Sequence, residues 1–226
     1  MTTPPEDEPV GSMFNIIPGE EQGMNLATWN ARGFVAPQHD VAHFVSEQKC
    51  DLLILTETKL SAAQQYERRR QHPLNATHKF FFSSTPSEAR RRGSVPTHLD
   101  AMPVKRANSS AGVAAILVPA LAAMTVKVDA PVVLAGHILH LRVALLSATL
   151  HVLGVYMPAN NPAMARVVQA YIVETCQAAA NATEHALVLG DFNATLYDSD
   201  RAGGVAAPQD SRWRNTVQQA MLRRPA

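Results

Sequence analysis

Short apolar runs that alternate with helix-patterned segments constrain the fold of this chain more than any other feature. The run within Asp51–Thr56 is continuously apolar between its two ends, which is typical of a buried strand. Further strands are predicted at Met24–Trp29, His78–Phe82, Ala111–Val118, Met124–Val128, His137–Leu145, Thr149–Met157 and Glu184–Leu189. Only Leu146–Ala148 separates His137–Leu145 from Thr149–Met157, which predicts that these two strands are antiparallel neighbours.

Helical patterns fill the spaces between these strands. Val41, Phe44 and Val45 recur at helical spacing, and Ser or Pro stands at the start of two other segments, where it suits the first turn of a helix. The predicted helices are Gln38–Gln48, Ser61–Gln71, Pro162–Ala180 and Arg212–Leu222. Because strands and helices alternate at both ends around a β-rich middle, the pattern predicts a mixed sheet in an α/β sandwich.

Two segments differ in character from this pattern. Residues 1–23 are polar and acidic, and we expect a disordered tail there. Residues 83–110 are rich in Pro, Ser and Arg and predict a basic loop or insertion. The remaining chain, 24–226, is long enough to form one domain with a sizeable core.

The charge of the chain is unevenly distributed. Its net charge is +1, but the first 21 residues hold five uncompensated acids, which leaves 20 basic and 14 acidic residues from Gln22 onward. The basic residues form three clusters, which are Arg68, Arg69 and Arg70; Arg90, Arg91 and Arg92; and Arg212, Arg214, Arg223 and Arg224. A polyanion such as nucleic acid would suit them, although such runs are also common on solvated surfaces.

Several classes of protein do not fit the sequence. The longest apolar run, Ala111–Met124, is too short to span a membrane and contains Pro119, so we expect no membrane partner. The N-terminus has no apolar leader, which argues against secretion. The two cysteines, Cys50 and Cys176, do not have the spacing of a zinc site, and we expect both to be reduced, buried and intracellular.

Polar residues follow the apolar strands at the points where function is expected. Asn30 and Glu57 each come after a strand, Tyr156 lies near the end of another, and Asp191 and Asn193 follow the last. A carboxylate such as Glu57 at the end of a buried strand needs a cation nearby. A hard divalent ion would supply it, and so would a salt bridge to Lys59 or Arg32. Considered singly, Asp191 and Asn193 fit turn formers and Tyr156 fits a core residue.

Taken in order, five short segments resemble the signature of the endonuclease/exonuclease/phosphatase superfamily. They are Thr28–Gly33 (TWNARG), Leu55–Lys59 (LTETK), Gly112–Ala114 (GVA), Gly154–Pro158 (GVYMP) and Leu189–Ala194 (LGDFNA). The continuation Thr195–Arg201 further resembles the apurinic-endonuclease-like domain of non-LTR retrotransposons. The resemblance implies a four-layered α/β sandwich of the deoxyribonuclease I-like type over about residues 24–222.

The resemblance also implies roles for the residues at the strand ends. Glu57, with Asn30 beside it, would bind Mg²⁺, for which Mn²⁺ could substitute. Asp191 would orient or deprotonate the attacking water, Asn193 would hold that water or the phosphate, and Tyr156 would contact the scissile phosphate. This set suits phosphodiester hydrolysis, in which negative charge accumulates on the phosphate oxygens.

DNA is the partner that the resemblance implies. Arg201 would contact the nucleic-acid backbone, and Arg90, Arg91 and Arg92 are expected to add to that contact. A reverse transcriptase would follow in the parent polyprotein, and the location would be nuclear. The alternatives are a phosphatase of the same superfamily and a catalytically dead remnant that binds nucleic acid.

One departure from the family pattern concerns a histidine. Family members end with an Asp-His pair, whereas the last histidine of this sequence is His185, which precedes Asp191. We therefore expect the chain to be the N-terminal portion of the domain, incomplete at its C-terminus and weak or inactive as a nuclease alone.

Overall fold

The computed structural model describes residues 23–34, 38–83, 111–194 and 208–221. The predicted tail lies outside the described residues apart from Gly23, and so does the basic loop apart from Ser83. The strands are β1 (Leu26–Asn30), β2 (Leu52–Thr56), β3 (Lys79–Ser83), β4 (Val113–Leu117), β5 (Thr125–Val128), β6 (Ile138–Ala144), β7 (Thr149–Tyr156) and β8 (His185–Asp191). The helices are α1 (Gln38–Glu47), α2 (Ala62–Gln71), α3 (Pro119–Ala123), α4 (Pro162–Asn181) and α5 (Pro208–Met221).

These strands form two four-stranded mixed sheets, whereas the strand pattern predicted a mixed sheet without showing the division into two. The first sheet has the order β1-β2-β4-β3 and the second the order β5-β6-β7-β8. Each sheet contains one parallel pair, β1 with β2 and β7 with β8, and is otherwise antiparallel. The predicted antiparallel pairing of the two strands before and after residues 146–148 is confirmed.

The two sheets face each other across an apolar core. Leu52 and Ile54 from β2 meet Leu139 and Leu141 from β6 in this layer. Gly154 in β7 permits the close approach, because a Cβ there would lie 3.0 Å from a methyl of Val113 in the opposite sheet. Burial on this scale, at about 25 cal/mol per Å² of apolar area, is the main stabilising contribution to such a fold.

Helices cover the outer faces of both sheets. Val41 and Val45 of α1 pack on the first sheet, and Val168 and Ile172 of α4 pack on the second together with Trp213 of α5. The layer order is therefore helix, sheet, sheet, helix, which confirms the four-layered sandwich. Within the described residues, none of the helices is long and apolar enough to cross a membrane.

The elements differ from the sequence predictions in several places. The short helix α3 was not predicted; it begins at Pro119, whose fixed backbone angle suits a first turn. Helix α5 starts at Pro208, four residues before Arg212. Strand β8 continues past Leu189 to Asp191, because Gly190 and Asp191 still pair with Val155 and Tyr156 of β7. That extension brings Asp191 level with Tyr156.

Both cysteines are free thiols in the structure. Cys50 is buried, as predicted, and burial together with the neighbouring Asp51 charge raises its pKa to about 11. Cys176 is only half-buried, which corrects the prediction for that residue, and burial raises its pKa as well.

Candidate functional site

The Asn30 side chain joins the two sheets at the edge where β1, β2 and β8 end. Its amide nitrogen donates a hydrogen bond to Glu57 Oε1 at 3.2 Å and another to Asp191 Oδ2 at 2.8 Å. Glu57 follows β2 of the first sheet, and Asp191 ends β8 of the second. Residues 161 positions apart in the chain are therefore in direct contact.

The Asn30 amide is itself held in orientation. The backbone N–H of Arg32 donates to Asn30 Oδ1 at 3.0 Å, which leaves the amide nitrogen directed at the carboxylates. Arg32 has φ +43°, a left-handed conformation that suits the turn after β1. This turn is also tied to the neighbouring loop, because the Gly33 N–H donates to the Glu57 carbonyl at 2.8 Å.

Glu57 lies in a strained loop after β2. Its φ is +53° and that of Lys59 is +54°, values that cost free energy for residues with a side chain and that cluster at functional sites. Lys59 Nζ lies 3.4 Å from Glu57 Oε2, so the salt bridge considered from the sequence does form. The Glu57 side chain retains 20% of its exposure. Both the bridge and an open approach to the carboxylate are thus present.

Asp191 and Asn193 form a second compact turn. The Asn193 backbone N–H donates to Asp191 Oδ1 at 3.0 Å, and the Asn193 side-chain amide donates to the Met157 carbonyl at 2.7 Å. Asn193 has φ +47°, which Asn adopts more readily than most residues. The Asp191 carbonyl in turn accepts from the Met157 N–H at 2.8 Å. One carboxylate oxygen of Asp191 therefore accepts a hydrogen bond from Asn193 and the other accepts one from Asn30.

Tyr156 lies beside this turn and is 7% exposed. It pairs with Asp191 in the register of β7 and β8. His137, a residue that sequence reasoning missed, stacks on it with ring centroids 5.9 Å apart and planes 10° apart. His137 precedes β6 and is adjacent to Tyr156 only through the β6–β7 pairing, so a strand-end scan along the chain would not select it. Burial lowers the pKa of His137, and its bond to the Tyr156 carbonyl opposes that shift.

The residues at this edge suit a hard divalent cation. Carboxylate oxygens such as those of Glu57 and Asp191 are the ligands that Mg²⁺ and Mn²⁺ prefer. Within the described residues, no group of three His, Cys, Asp or Glu could hold a metal. An ion here would therefore rest on Glu57, Asp191 and water, and Mg²⁺ commonly retains several waters in proteins. Asn30 would add its Oδ1 as a ligand when that oxygen releases the Arg32 N–H.

The structure brings together five of the nine predicted site residues, namely Asn30, Glu57, Tyr156, Asp191 and Asn193. The other four, Arg90, Arg91, Arg92 and Arg201, lie outside the described residues. His185 is exposed at the first residue of β8, at the opposite end of that strand from Asp191. It is thus remote along the strand from the carboxylates.

Comparison with protein-family models decides the family. The model described as the Endonuclease/Exonuclease/phosphatase family matches residues 27–218. The chain belongs to this family. A family of nucleases and phosphatases is a family of phosphoester hydrolases, so membership supports a hydrolase. A comparison with curated proteins gave no match.

Solved structures share the fold of this family member. An AP endonuclease from Leishmania major has TM-score 0.60 at 16% identity, with 86% of this chain and 66% of that one covered. The 3′ phosphatase NExo from Neisseria, bound to product DNA hairpin, has TM-score 0.54 at 15% identity, covering 87% and 71%. The endonuclease domain of TRAS1, a telomere-specific non-LTR retrotransposon, has TM-score 0.51 at 10% identity, covering 86% and 69%.

Proposed function

We propose that this family member is a divalent-metal-dependent endonuclease that hydrolyses phosphodiester bonds in DNA and is of the retrotransposon type. The observation that carries the proposal is the Asn30 amide, which contacts Glu57 and Asp191 from different sheets. A salt bridge with a purely structural role needs one carboxylate and one cation, and it does not need two carboxylates gathered on the same amide. A centre that binds a cation and a phosphate needs such a cluster of oxygens.

Each residue of the site has a task in this proposal. Glu57 and Asn30 hold Mg²⁺, or Mn²⁺ in its place, which when bound stabilises negative charge on the phosphate. Asp191 orients the attacking water and accepts its proton, and Asn193 holds that water or a phosphate oxygen. The Tyr156 hydroxyl contacts the scissile phosphate. The strained backbone at Glu57 and Asn193 supports such fixed positions.

DNA is the proposed substrate for two reasons. The NExo structure contains a DNA product, and the TRAS1 domain is an endonuclease of a retrotransposon. The excess of basic residues after Gln22 also suits a polyanion. A reverse transcriptase in the parent polyprotein and a nuclear location are parts of the same proposal.

A phosphatase is the second candidate. It is favoured by one observation, which is that NExo is described as a 3′ phosphatase although it shares this fold. A phosphatase would release phosphate from a strand end and leave closed circular DNA intact. A nick in supercoiled plasmid therefore separates the two activities.

The test is a nicking assay on supercoiled plasmid with Mg²⁺ or Mn²⁺, with enzyme in excess over DNA. We expect the plasmid to be nicked when either metal ion is present. Asp191→Asn should abolish the nicking and Asp129→Asn, at an exposed position, should preserve it. Nicking that persists in Asp191→Asn, or release of 3′ phosphate without nicking, would contradict the proposal.

A further inference from the structure

His137 holds Tyr156 through its ring and through its backbone. The two rings are stacked, with centroids 5.9 Å apart and planes 10° apart. His137 Nδ1 lies 3.0 Å from the Tyr156 carbonyl oxygen, and the Tyr156 N–H donates to the His137 carbonyl at 2.9 Å. The ring face and both backbone polar groups of Tyr156 are thus engaged by one residue.

These contacts define the protonation state of His137. A carbonyl oxygen only accepts hydrogen bonds, so the proton of the neutral imidazole is on Nδ1. Burial lowers the pKa of His137 and favours this neutral form at neutral pH. A neutral ring with a fixed tautomer can act both as a flat stacking surface and as a hydrogen-bond donor.

The backbone beside His137 is tied to the loop that contains Glu57. The Gly136 N–H donates to the buried Ser83 hydroxyl at 3.0 Å, and the Gly136 carbonyl accepts from the Gly112 N–H at 2.9 Å. The Gly112 carbonyl accepts from the Thr58 N–H at 3.1 Å. A continuous hydrogen-bonded path therefore runs from the residue after Glu57 to the residue before His137.

We infer that His137 is a positioning residue that fixes the Tyr156 ring relative to the carboxylates. The inference rests on the proposed function for the role of Tyr156 at the phosphate. His137 acts through Tyr156 and has no separate task in the reaction. A tyrosine whose ring is held on one face and at its backbone can aim its hydroxyl without paying ordering entropy when substrate binds.

A double-mutant cycle tests this role. His137→Ala should lower the single-turnover nicking rate by about tenfold to a hundredfold, since small misplacements near a reacting centre have effects of this size. Tyr156→Phe should lower it similarly, and the double variant should be no slower than Tyr156→Phe alone. His137→Asn, which keeps a donor for the carbonyl, should recover part of the rate. His43→Ala, at an exposed histidine of α1, is the matched control and should keep the wild-type rate.

The inference would be overturned if His137→Ala lowered the nicking rate by the same factor in the wild type and in Tyr156→Phe. A readout without activity accompanies the cycle, namely the flipping rate of the Tyr156 ring by NMR, with its signals assigned from Tyr156→Phe. We expect His137→Ala to accelerate ring flips about tenfold or more and His43→Ala to leave them unchanged. If the wild-type chain does not nick DNA, the proposed function fails and the ring-flip rate alone decides: an unchanged rate in His137→Ala overturns the inference, and a faster rate supports it.

Discussion

Asn30 donates hydrogen bonds to two carboxylates that come from different sheets. Replacing it with aspartate puts a third negative charge against Glu57 and Asp191. Like charges at this range destabilise one another, and an added carboxylate strengthens cation binding. Asn30→Asp should therefore melt at a lower temperature than wild type without metal, and should gain more from Mg²⁺.

Thermal unfolding with and without Mg²⁺ checks this expectation. Asn215→Asp makes the same chemical change at an exposed position of α5 and serves as the control. A smaller Mg²⁺ effect in Asn30→Asp than in wild type would contradict the role given to Asn30 at the cation.

At the scale of residues, the sequence predicts which side chains lie at the site, but it does not predict the contacts that position them. Asn30, Glu57 and Asp191 were selected because each follows an apolar strand, and strand ends converge at one edge. His137 was missed because its neighbour Tyr156 is 19 positions away and is reached only through strand pairing. The sequence permits either a salt bridge from Lys59 to Glu57 or a carboxylate open to a cation. Only the structure shows that the salt bridge forms while the Glu57 carboxylate stays partly exposed.

At the scale of elements, Gly190 determines whether β8 can deliver Asp191 to the site. Its φ is +141°, and a Cβ there would overlap the backbone of Val155 in β7. Gly33 has φ +113°, but a Cβ there would meet no atom within 4 Å. Substitution of Gly33 therefore introduces backbone strain alone, whereas substitution of Gly190 introduces both strain and steric overlap.

Gly190→Ala should cost clearly more stability than Gly33→Ala, for which strain alone predicts about 1 to 3 kcal/mol. Gly190→Ala should also lose the response to Mg²⁺, because the β7–β8 pairing that positions Asp191 is disrupted. Urea unfolding of both variants measures the difference. Equal destabilisation of the two variants would contradict this, because it would show that β7 and β8 can move apart to accept the added methyl without further loss of stability.

A second feature of the elements is a hydrogen-bonded network that links β6, β7 and α4. His140 Nδ1 lies 2.9 Å from the Tyr171 hydroxyl and His140 Nε2 lies 2.9 Å from His151 Nδ1. His151 Nε2 lies 2.6 Å from Glu184, which also pairs with Arg142. Burial, followed by the His151 charge, lowers the pKa of His140 to about 4.

This network predicts loss of stability in mild acid. The unfolded chain binds a proton at His140 near its ordinary pKa of 6.5, whereas the folded chain binds it only near 4. Stability should therefore fall as the pH drops from about 6.5 to 4, by at most about 1.4 kcal/mol per pH unit for this histidine. Below pH 4.5, protonation of Glu184 should add to the loss, because hydrogen bonds from His151 and Arg142 lower its pKa.

Urea unfolding at pH 7.5, 6 and 5 tests the expectation, with His140→Gln as a variant that cannot titrate there. The decline between pH 7.5 and 5 should be shallower in His140→Gln than in wild type. Equal slopes in the two proteins would assign the acid sensitivity to other groups.

At the scale of the whole molecule, the strand pattern predicted the layers only in part. Apolar runs identify buried strands, but they do not show which strands share a sheet, because a run is equally apolar whether its neighbour lies beside it or across the core. The division into two sheets depends on close approaches such as that of Gly154 to Val113. The four-layered sandwich was predicted from the resemblance of five ordered segments to a known family, and the periodicity of the apolar residues alone did not predict it.

Charge is the other property of the whole molecule that makes a prediction. If the basic residues bind DNA, affinity should fall steeply with salt, because neutralised phosphates release condensed counterions. Replacing Arg90, Arg91 and Arg92 with alanine should reduce the slope of log K against log salt by about 0.9 for each phosphate that the variant no longer neutralises. Binding measured from low to moderate salt checks this. A slope unchanged by the triple substitution would show that these arginines do not bind DNA.

The central claim is that Glu57, Asn30 and Asp191 form one cation-dependent centre across two sheets. The most direct measurement is the melting temperature with and without saturating Mg²⁺ or Mn²⁺ for wild type, Glu57→Gln and the control Glu47→Gln, which lies on the exposed face of α1. A cation at 100 times its Kd adds about 2.7 kcal/mol to the native state. For a domain of this size, that predicts a rise of about 5 to 10 °C in wild type and Glu47→Gln. Glu57→Gln should show no rise, and a rise equal to that of wild type would contradict the account.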